Sequence, residues 1–295
     1  MEYLLHILIL IGIYVILSVS LDLIAGFTGL LSLAHAAFYG IGAYTAALMA
    51  LRLGSPFWLT LPTAAVLCAI LGLVVGVPSL RIRDDYFAIV TFGLQVIVFS
   101  ILNNWVSFTG GAQGLPGIPD ASLFGVAFSS TPKFLLLTAI VASVTVWVVC
   151  KTVNSPFGRV LKAVREDEVF ALAAGKYVAR YKVLVSVLSA GMAGVAGVLY
   201  AYYISFIDPT SFTIIESIFI ISIVIIGGAG SIRGPIVGAV VLVLLPELLR
   251  FIGLPSAVAA NLRQVLYGGL LVIFMLWRPQ GLFGEFTFRQ RETNP

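Results

Sequence analysis

The sequence predicts an all-α integral membrane protein, a polytopic bundle of about eight to ten transmembrane helices that forms a single domain over residues 1–295. Three observations predict this fold class: 60% of the residues are hydrophobic, the mean hydropathy is +1.09, and apolar runs of about 18 residues or more recur. Because backbone amides in hydrocarbon have no water to bind, long runs without alternating polarity are expected to be helices.

Apolar segments divide the chain into about nine candidate spans. They are residues 4–24, 30–50, 57–80, 86–102, 133–150, 183–206, 214–229, 234–253 and 260–277. Glycines in 30–50 and 214–229 interrupt the helical pattern, and the 103–132 connection has room for a re-entrant piece, so the count ranges from eight to ten. The first segment follows an acidic "MEY" and is longer than a signal peptide requires, so we expect an uncleaved membrane helix.

Basic residues are concentrated in one connection, at Lys151, Arg159, Lys162, Arg165, Lys176, Arg180 and Lys182. The positive-inside rule therefore predicts that loop 151–182 is cytoplasmic and loop 103–132 is external. Arg278, Arg289 and Arg291 predict a cytoplasmic C-terminus by the same rule. The side of the N-terminus depends on whether five or six spans precede the basic loop.

The stretch "SPFGRVLKAVREDEVFALAAG" within this loop predicts a helix. Ser155 suits its N-cap, Pro156 its first position and Gly175 its carboxyl end. Lys162 and Glu166 have the i, i+4 spacing of a surface ion pair. Such a helix is expected to lie along the membrane surface or to dock on a partner; the alternative is a solvated basic loop that only fixes the topology.

The loop also has the spacing E-x-x-A-x-x-x-G, at Glu168, Ala171 and Gly175, which resembles the "EAA" loop of membrane subunits in bacterial ABC importers. Its flanks, "FGRVLKAVREDEVFALAAGKYVARYKVLVSVLSAGMAGVAGVLYA", resemble branched-chain amino acid permeases of the LivM type. The stretches "TGLLSLAHAAFYGIGAYTAALMA", "PSLRIRDDYFAIVTFG", "GGAGSIRGPIVGAVVL" and "RPQGLFG" are similar to the same family. The resemblance runs from about residue 20 to residue 284.

This resemblance implies an EAA-like cytoplasmic coupling loop that rests on a separate ATPase. Arg165, Glu166 and Glu168 would contact the ATPase, Ala171 would permit close approach, and Gly175 would turn the chain. The sequence has no G-x-x-x-x-G-K-[ST] phosphate loop, so we expect no bound cofactor and ATP hydrolysis on partner subunits. The implied partners are a second permease subunit, two cytoplasmic ATPases and a periplasmic or tethered substrate-binding protein, assembled among lipids of the bacterial cytoplasmic (inner) membrane.

The second span mixes glycines with polar and aromatic residues, which is typical of helices that border a translocation path. Our candidate path residues are His35, Phe38, Tyr39, Gly40 and Glu216. A structural histidine bonded to a neighbouring helix is the alternative for His35. Stripes of small residues, such as Gly42, Ala46 and Ala50, predict tight helix packing.

Other functional classes find little support in the sequence. An acid at the bilayer centre costs about 2.5–3.5 kcal/mol, and the three candidates, Asp22, Glu216 and Glu247, form no proton-relay chain of the kind expected in an ion-coupled carrier. Two histidines and two cysteines in apolar spans suggest neither a metal site nor catalysis. Asp84 and Asp85 fit a short turn balanced by Arg81 and Arg83, and the basic loop is too short and mixed in sign for nucleic acid.

The resemblance to branched-chain amino acid permeases implies the predicted function, a non-enzymatic permease subunit of an ATP-binding cassette importer for leucine, isoleucine and valine. Urea or short-chain amides are alternative cargoes within the same family type. An ion-coupled secondary amino-acid carrier is the alternative from a different class.

Overall fold

The computed structural model describes residues 2–77, 84–123, 126–250, 256–278 and 280–284. Within these ranges the chain forms twelve α-helices, which include one counterpart for each predicted span. They are α1 (Glu2–Thr28), α2 (His35–Leu53), α3 (Phe57–Gly76), α4 (Asp84–Asn104), α5 (Val106–Thr109), α6 (Thr131–Asn154), α7 (Pro156–Glu166), α8 (Glu168–Ala173), α9 (Val178–Ile204), α10 (Ile214–Gly227), α11 (Arg233–Arg250) and α12 (Ser256–Trp277). The fold class is all-α, as predicted.

Six of the described helices, α1 to α4, α6 and α9, are long and apolar enough to cross a membrane. Helix α1 occupies the centre of the bundle, where it packs against α6, α9, α10 and α11. Helix α9 packs against α2 and α3, and α3, α4 and α6 expose much of their apolar surface. This distribution is that of a bundle whose outer helices face hydrocarbon, because exposed apolar surface has no cost there.

Two small antiparallel strand pairs cover one end of the bundle. Strand β1 (Leu115–Pro116) pairs with β4 (Phe206–Ile207), and β2 (Ser122–Leu123) pairs with β3 (Val126–Ala127). The predicted external connection 103–132 therefore contains α5 and three of these strands rather than a membrane-crossing segment. Arg52, in the last turn of α2, holds this connection against α2 by donating hydrogen bonds of 2.8 and 2.9 Å to the carbonyl oxygens of Ser107 and Phe108.

The opposite end of the bundle carries α7 and α8. The Arg165 Nη1 donates a 2.9 Å hydrogen bond to the Gly26 carbonyl oxygen, which places α7 beside the carboxyl end of α1. Five of the six long helices precede α7 in the chain, so the amino end of α1 lies at the end of the bundle opposite α7. Residues Arg81, Arg83, Arg289 and Arg291 lie outside the described residues. Asp84 and Asp85, predicted to lie in a short turn with Arg81 and Arg83, are instead the first two residues of α4.

Candidate functional site

The α7–α8 segment, residues 155–178, contains two short helices and not the single helix expected from the sequence. The Ser155 hydroxyl caps α7 as predicted, accepting hydrogen bonds from the Phe157 and Gly158 amides at 3.1 and 3.5 Å. Asp167 then interrupts the helix, because its Oδ1 accepts from the amides of Val169 and Phe170 at 2.9 and 3.1 Å and so caps a new helix. The prediction of a continuous helix was wrong at this aspartate.

Two charged residues of the segment face the bundle. The Arg165 side chain is 9% exposed and bonds both to Gly26, in α1, and to Glu166, whose Oε1 lies 2.8 Å from Nη2. The Glu168 carboxylate pairs at 2.9 Å with the Nζ of Lys182, whose side chain is only 4% exposed in α9. These two contacts attach the α7–α8 segment to α1 and α9.

Ala171 is 1% exposed and packs against Val164 and Val178, with Val160 at the edge of the same cluster. A methyl side chain at this position lets α8 lie directly against α7 and the start of α9, because a larger one would need space that the cluster lacks. Gly175 follows the end of α8 with a φ of +75°, a conformation that favours glycine. The C-cap of α8 is Ala174, so Gly175 marks the end of this helix but lies one residue beyond its cap.

The outward side of α8 is apolar, and sequence reasoning missed it. Val169, Phe170, Leu172 and Tyr177 are 72%, 69%, 53% and 75% exposed. We call these four residues the α8 face. A groove of about 440 Å³ continues it between α7 and α8, with Arg159 and Lys176 on its rim. The available signal was an apolar run next to a dense group of charges, which is unusual for a solvated loop.

Helix α2 begins at His35 and not at residue 30, as the predicted span had it. Residues 29–34 are instead non-helical, and polar side chains bind two amides here: Leu33 N–H donates to Thr91 Oγ1 and Ala36 N–H donates to Ser217 Oγ, each at 3.0 Å. Non-helical backbone is tolerated at membrane depth only where protein groups satisfy it in this way.

Helix α10 also begins inside the protein, and the chain reaches its start from the other end of the bundle. A turn at Pro209–Phe212 precedes it, and the Phe212 carbonyl oxygen accepts a 2.7 Å hydrogen bond from the buried Gln95 side chain. The Ser217 hydroxyl donates at 3.3 Å to the same amide group of Gln95. The amino ends of α2 and α10 therefore meet inside the protein, and their chains arrive from opposite ends of the bundle.

Four of the candidate path residues form two groups: His35 contacts Phe38, and Tyr39 and Gly40 contact Phe212. His35 is 1% exposed, with its Nε2 2.8 Å from the Ser20 hydroxyl, and its ring stacks edge-on against Phe38. This is the structural alternative described for His35. Tyr39 is also buried, but it lies with Gly40 against Phe212; a Cβ added at Gly40 would lie 2.9 Å from that ring.

Glu216 lies in the first turn of α10 and accepts a 2.6 Å hydrogen bond from the Tyr14 hydroxyl. Tyr14 was not singled out from the sequence, since it stands in an otherwise apolar run of α1. Among the other intramembrane acids, the buried Asp22 accepts a 2.8 Å hydrogen bond from the Gly230 amide, and Glu247 accepts one from the Tyr3 hydroxyl. The predicted partner of Glu247, the Arg250 side chain, lies outside the description.

The described residues thus form a bundle in which two helices begin inside the protein and the α7–α8 segment is attached at one end. The sequence matches the family described as "Branched-chain amino acid transport system / permease component" over residues 3–275. The chain belongs to this permease family. The permease is 38% identical over 293 residues to the high-affinity branched-chain amino acid transport system permease protein LivM of Escherichia coli K12, covering 92% of this chain and 67% of that protein.

More distant relatives have the same kind of name. The permease is 27% identical over 235 residues to a probable LivM of Methanocaldococcus jannaschii, covering 75% of this chain and 68% of the relative. It is 23% identical over 292 residues to the LivH permease protein of Salmonella typhimurium, covering 92% of this chain and 91% of the relative. No solved structure matches it.

Proposed function

We propose that this permease carries leucine, isoleucine and valine across the bacterial cytoplasmic membrane as one subunit of an ATP-driven importer. Its partners would be a second permease chain, two ATPases on the side of α7 and α8, and a substrate-binding protein on the opposite side. The cargo is suggested by the names of the LivM and LivH relatives. The chain itself would hydrolyse no ATP, since its sequence has no phosphate-binding loop.

The observation that carries the proposal is the α8 face. Its four apolar side chains are exposed at the end of the bundle, next to a groove lined in part by basic residues. Such a surface is expected where a protein docks into an apolar pocket of a partner. Movement of that partner would be transmitted through Arg165 to α1 and through the Glu168–Lys182 pair to α9.

The first test is uptake of labelled leucine into vesicles that contain the assembled partners. ATP-dependent uptake that survives collapse of proton and sodium gradients is the expected result, and urea and acetamide are run as competitors. Uptake that follows an ion gradient without ATP would establish the ion-coupled carrier instead. Competition by urea or acetamide, without competition by isoleucine and valine, would show that the cargo is urea or a short-chain amide.

A second test addresses the docking surface. Phe170→Ala is expected to reduce ATP-dependent uptake at least tenfold, because a central aromatic contact is lost from the partner interface. Phe206→Ala is the matched control: this phenylalanine is 41% exposed and lies in β4, at the opposite end of the bundle. Equal uptake by the two variants would rule out the α8 face as the ATPase contact.

A further inference from the structure

Glu216 is an acid at mid-depth in the bundle. Its hydrogen-bond donor, Tyr14, lies about 20 Å from either end of α1 at 1.5 Å per residue. Among the described residues no lysine, arginine or histidine pairs with the Glu216 carboxylate. An acid at this depth is costly, and one that pairs with none of the described basic side chains is a candidate ligand site.

Tyrosines from four other helices lie around the start of α10. Tyr14 comes from α1, Tyr39 from α2, Tyr200 from α9 and Tyr267 from α12. Tyr14 donates to the Glu216 carboxylate, and Tyr39 and Tyr200 have their rings 5.1 and 5.9 Å from that of Phe212, four residues before it.

The rings of this group are held by mutual contacts. Tyr39 and Tyr200 have centroids 5.4 Å apart, and Phe219 links the others, with its ring 5.1 Å from Tyr14 and 4.5 Å from Tyr267. Aromatic faces attract a cation and also provide apolar walls, so this is a surrounding suited to an organic ammonium group.

The residues around Glu216 are partly exposed on one side of α10. Glu216, Tyr14 and Tyr200 are half-buried rather than enclosed, while the flanking Ile215 and Ile218 are 50% and 44% exposed. The described residues also contain no group of three histidine, cysteine, aspartate or glutamate side chains of the kind that holds a metal ion. The composition of the site therefore favours one hydrogen-bonding cation over a coordinated metal.

We propose that Glu216, oriented by the Tyr14 hydroxyl, binds the ammonium group of the transported amino acid at mid-membrane. This inference rests on the proposed function for its cargo. The tyrosine rings enclose the ammonium group, and the carboxylate accepts its hydrogen bonds. Charge-assisted hydrogen bonds of this kind are among the strongest available in a water-poor site.

The test is equilibrium binding of labelled leucine to the purified permease–ATPase complex without the binding protein, with leucine uptake by the full assembly measured on the same preparation. Glu216→Gln keeps the shape and the hydrogen-bond acceptor but removes the charge, and is expected to weaken binding at least tenfold. Glu247→Gln is the matched control, because Glu247 is also an acid bonded to a tyrosine, Tyr3, but lies at the end of the bundle.

Competing ligands identify the group that is bound. Leucinamide, which keeps the ammonium group, is expected to displace leucine, and 4-methylpentanoate, which lacks it, is not. Tyr14→Phe, which leaves the charge in place, is expected to weaken binding less than Glu216→Gln and to preserve this discrimination. The site would be overturned by unchanged leucine binding in Glu216→Gln, by displacement of leucine with 4-methylpentanoate, or by normal uptake without measurable wild-type binding. Absence of leucine uptake by the wild-type assembly would instead overturn the proposed function.

Discussion

Gly175 and Gly54 are two glycines in the left-handed conformation, with φ of +75° and +58°, at opposite ends of the bundle. A Cβ added at either would meet no heavy atom within 4 Å. A side chain at either position therefore introduces a similar backbone strain of roughly 1–2 kcal/mol and no clash. The two sites differ in their location, because Gly175 adjoins the α8 face.

This pair gives a controlled mutation. Gly175→Glu is expected to abolish ATP-dependent leucine uptake while the protein remains inserted, because a charged side chain would stand beside the apolar docking surface. Gly54→Glu should retain most of the uptake. Membrane content by immunoblot and initial uptake rates measure both, and normal uptake by Gly175→Glu would refute the coupling assignment.

Arg165 connects α7 to the carboxyl end of α1 through the Gly26 carbonyl oxygen. Arg165→Gln is expected to lower the free energy of unfolding by about 1.5–3 kcal/mol, the contribution of a hydrogen bond to a charged group, and to slow uptake several-fold. Arg159→Gln, at an exposed position in the same helix, should leave the free energy of unfolding unchanged. Thermal unfolding in detergent and uptake rates would show whether the two substitutions differ.

At the scale of elements, close contact between α2 and α9 depends on glycine. A Cβ added at Gly42 would overlap the Gly194 carbonyl oxygen, which is backbone and cannot rotate away. In α4, by contrast, Gly93 has no heavy atom within 4 Å of an added Cβ. The stripe of small residues predicted from the sequence is thus confirmed as a packing contact at Gly42.

Gly42→Ala is accordingly expected to lower the thermal unfolding midpoint of the detergent-solubilised protein, because the two helices must separate to admit the methyl group. Gly93→Ala should leave the midpoint unchanged or raise it, since alanine is favoured over glycine in a helix by up to about 1 kcal/mol. A midpoint for Gly42→Ala at or above that of Gly93→Ala would contradict the packing described.

Element identity was largely predictable from the sequence, whereas element starts inside the protein were not. Apolar run length indicated each span, and Ser155 and Gly175 marked helix ends correctly because caps are local features. The start of α2 depends on Thr91 and Ser217, which are 58 and 181 residues away from their hydrogen-bond donors. The convergence of Tyr14 and Glu216 was missed for the same reason, since it depends on helix packing.

For the whole molecule, the five long helices before α7 determine the side of the N-terminus, which the charge pattern left undecided. With α7 and α8 on the cytoplasmic side, as proposed, the amino end of α1 is external. In a background with Cys68 and Cys150 replaced by serine, Glu2→Cys should react with a membrane-impermeant maleimide in spheroplasts. Tyr177→Cys should react only after the membrane is broken; the reverse pattern would invert the topology.

The hydrogen bonds that the Leu33 and Ala36 amides donate at the start of α2 also have a consequence for biosynthesis. A chain made at about 5–20 residues per second reaches Ser217 roughly ten seconds or more after Ala36. During that interval the Ala36 amide is without its acceptor, in a medium that offers no water in exchange. The first two spans therefore enter the membrane as an unfinished hairpin, and the ribosome must deliver α10 before the amino end of α2 is complete.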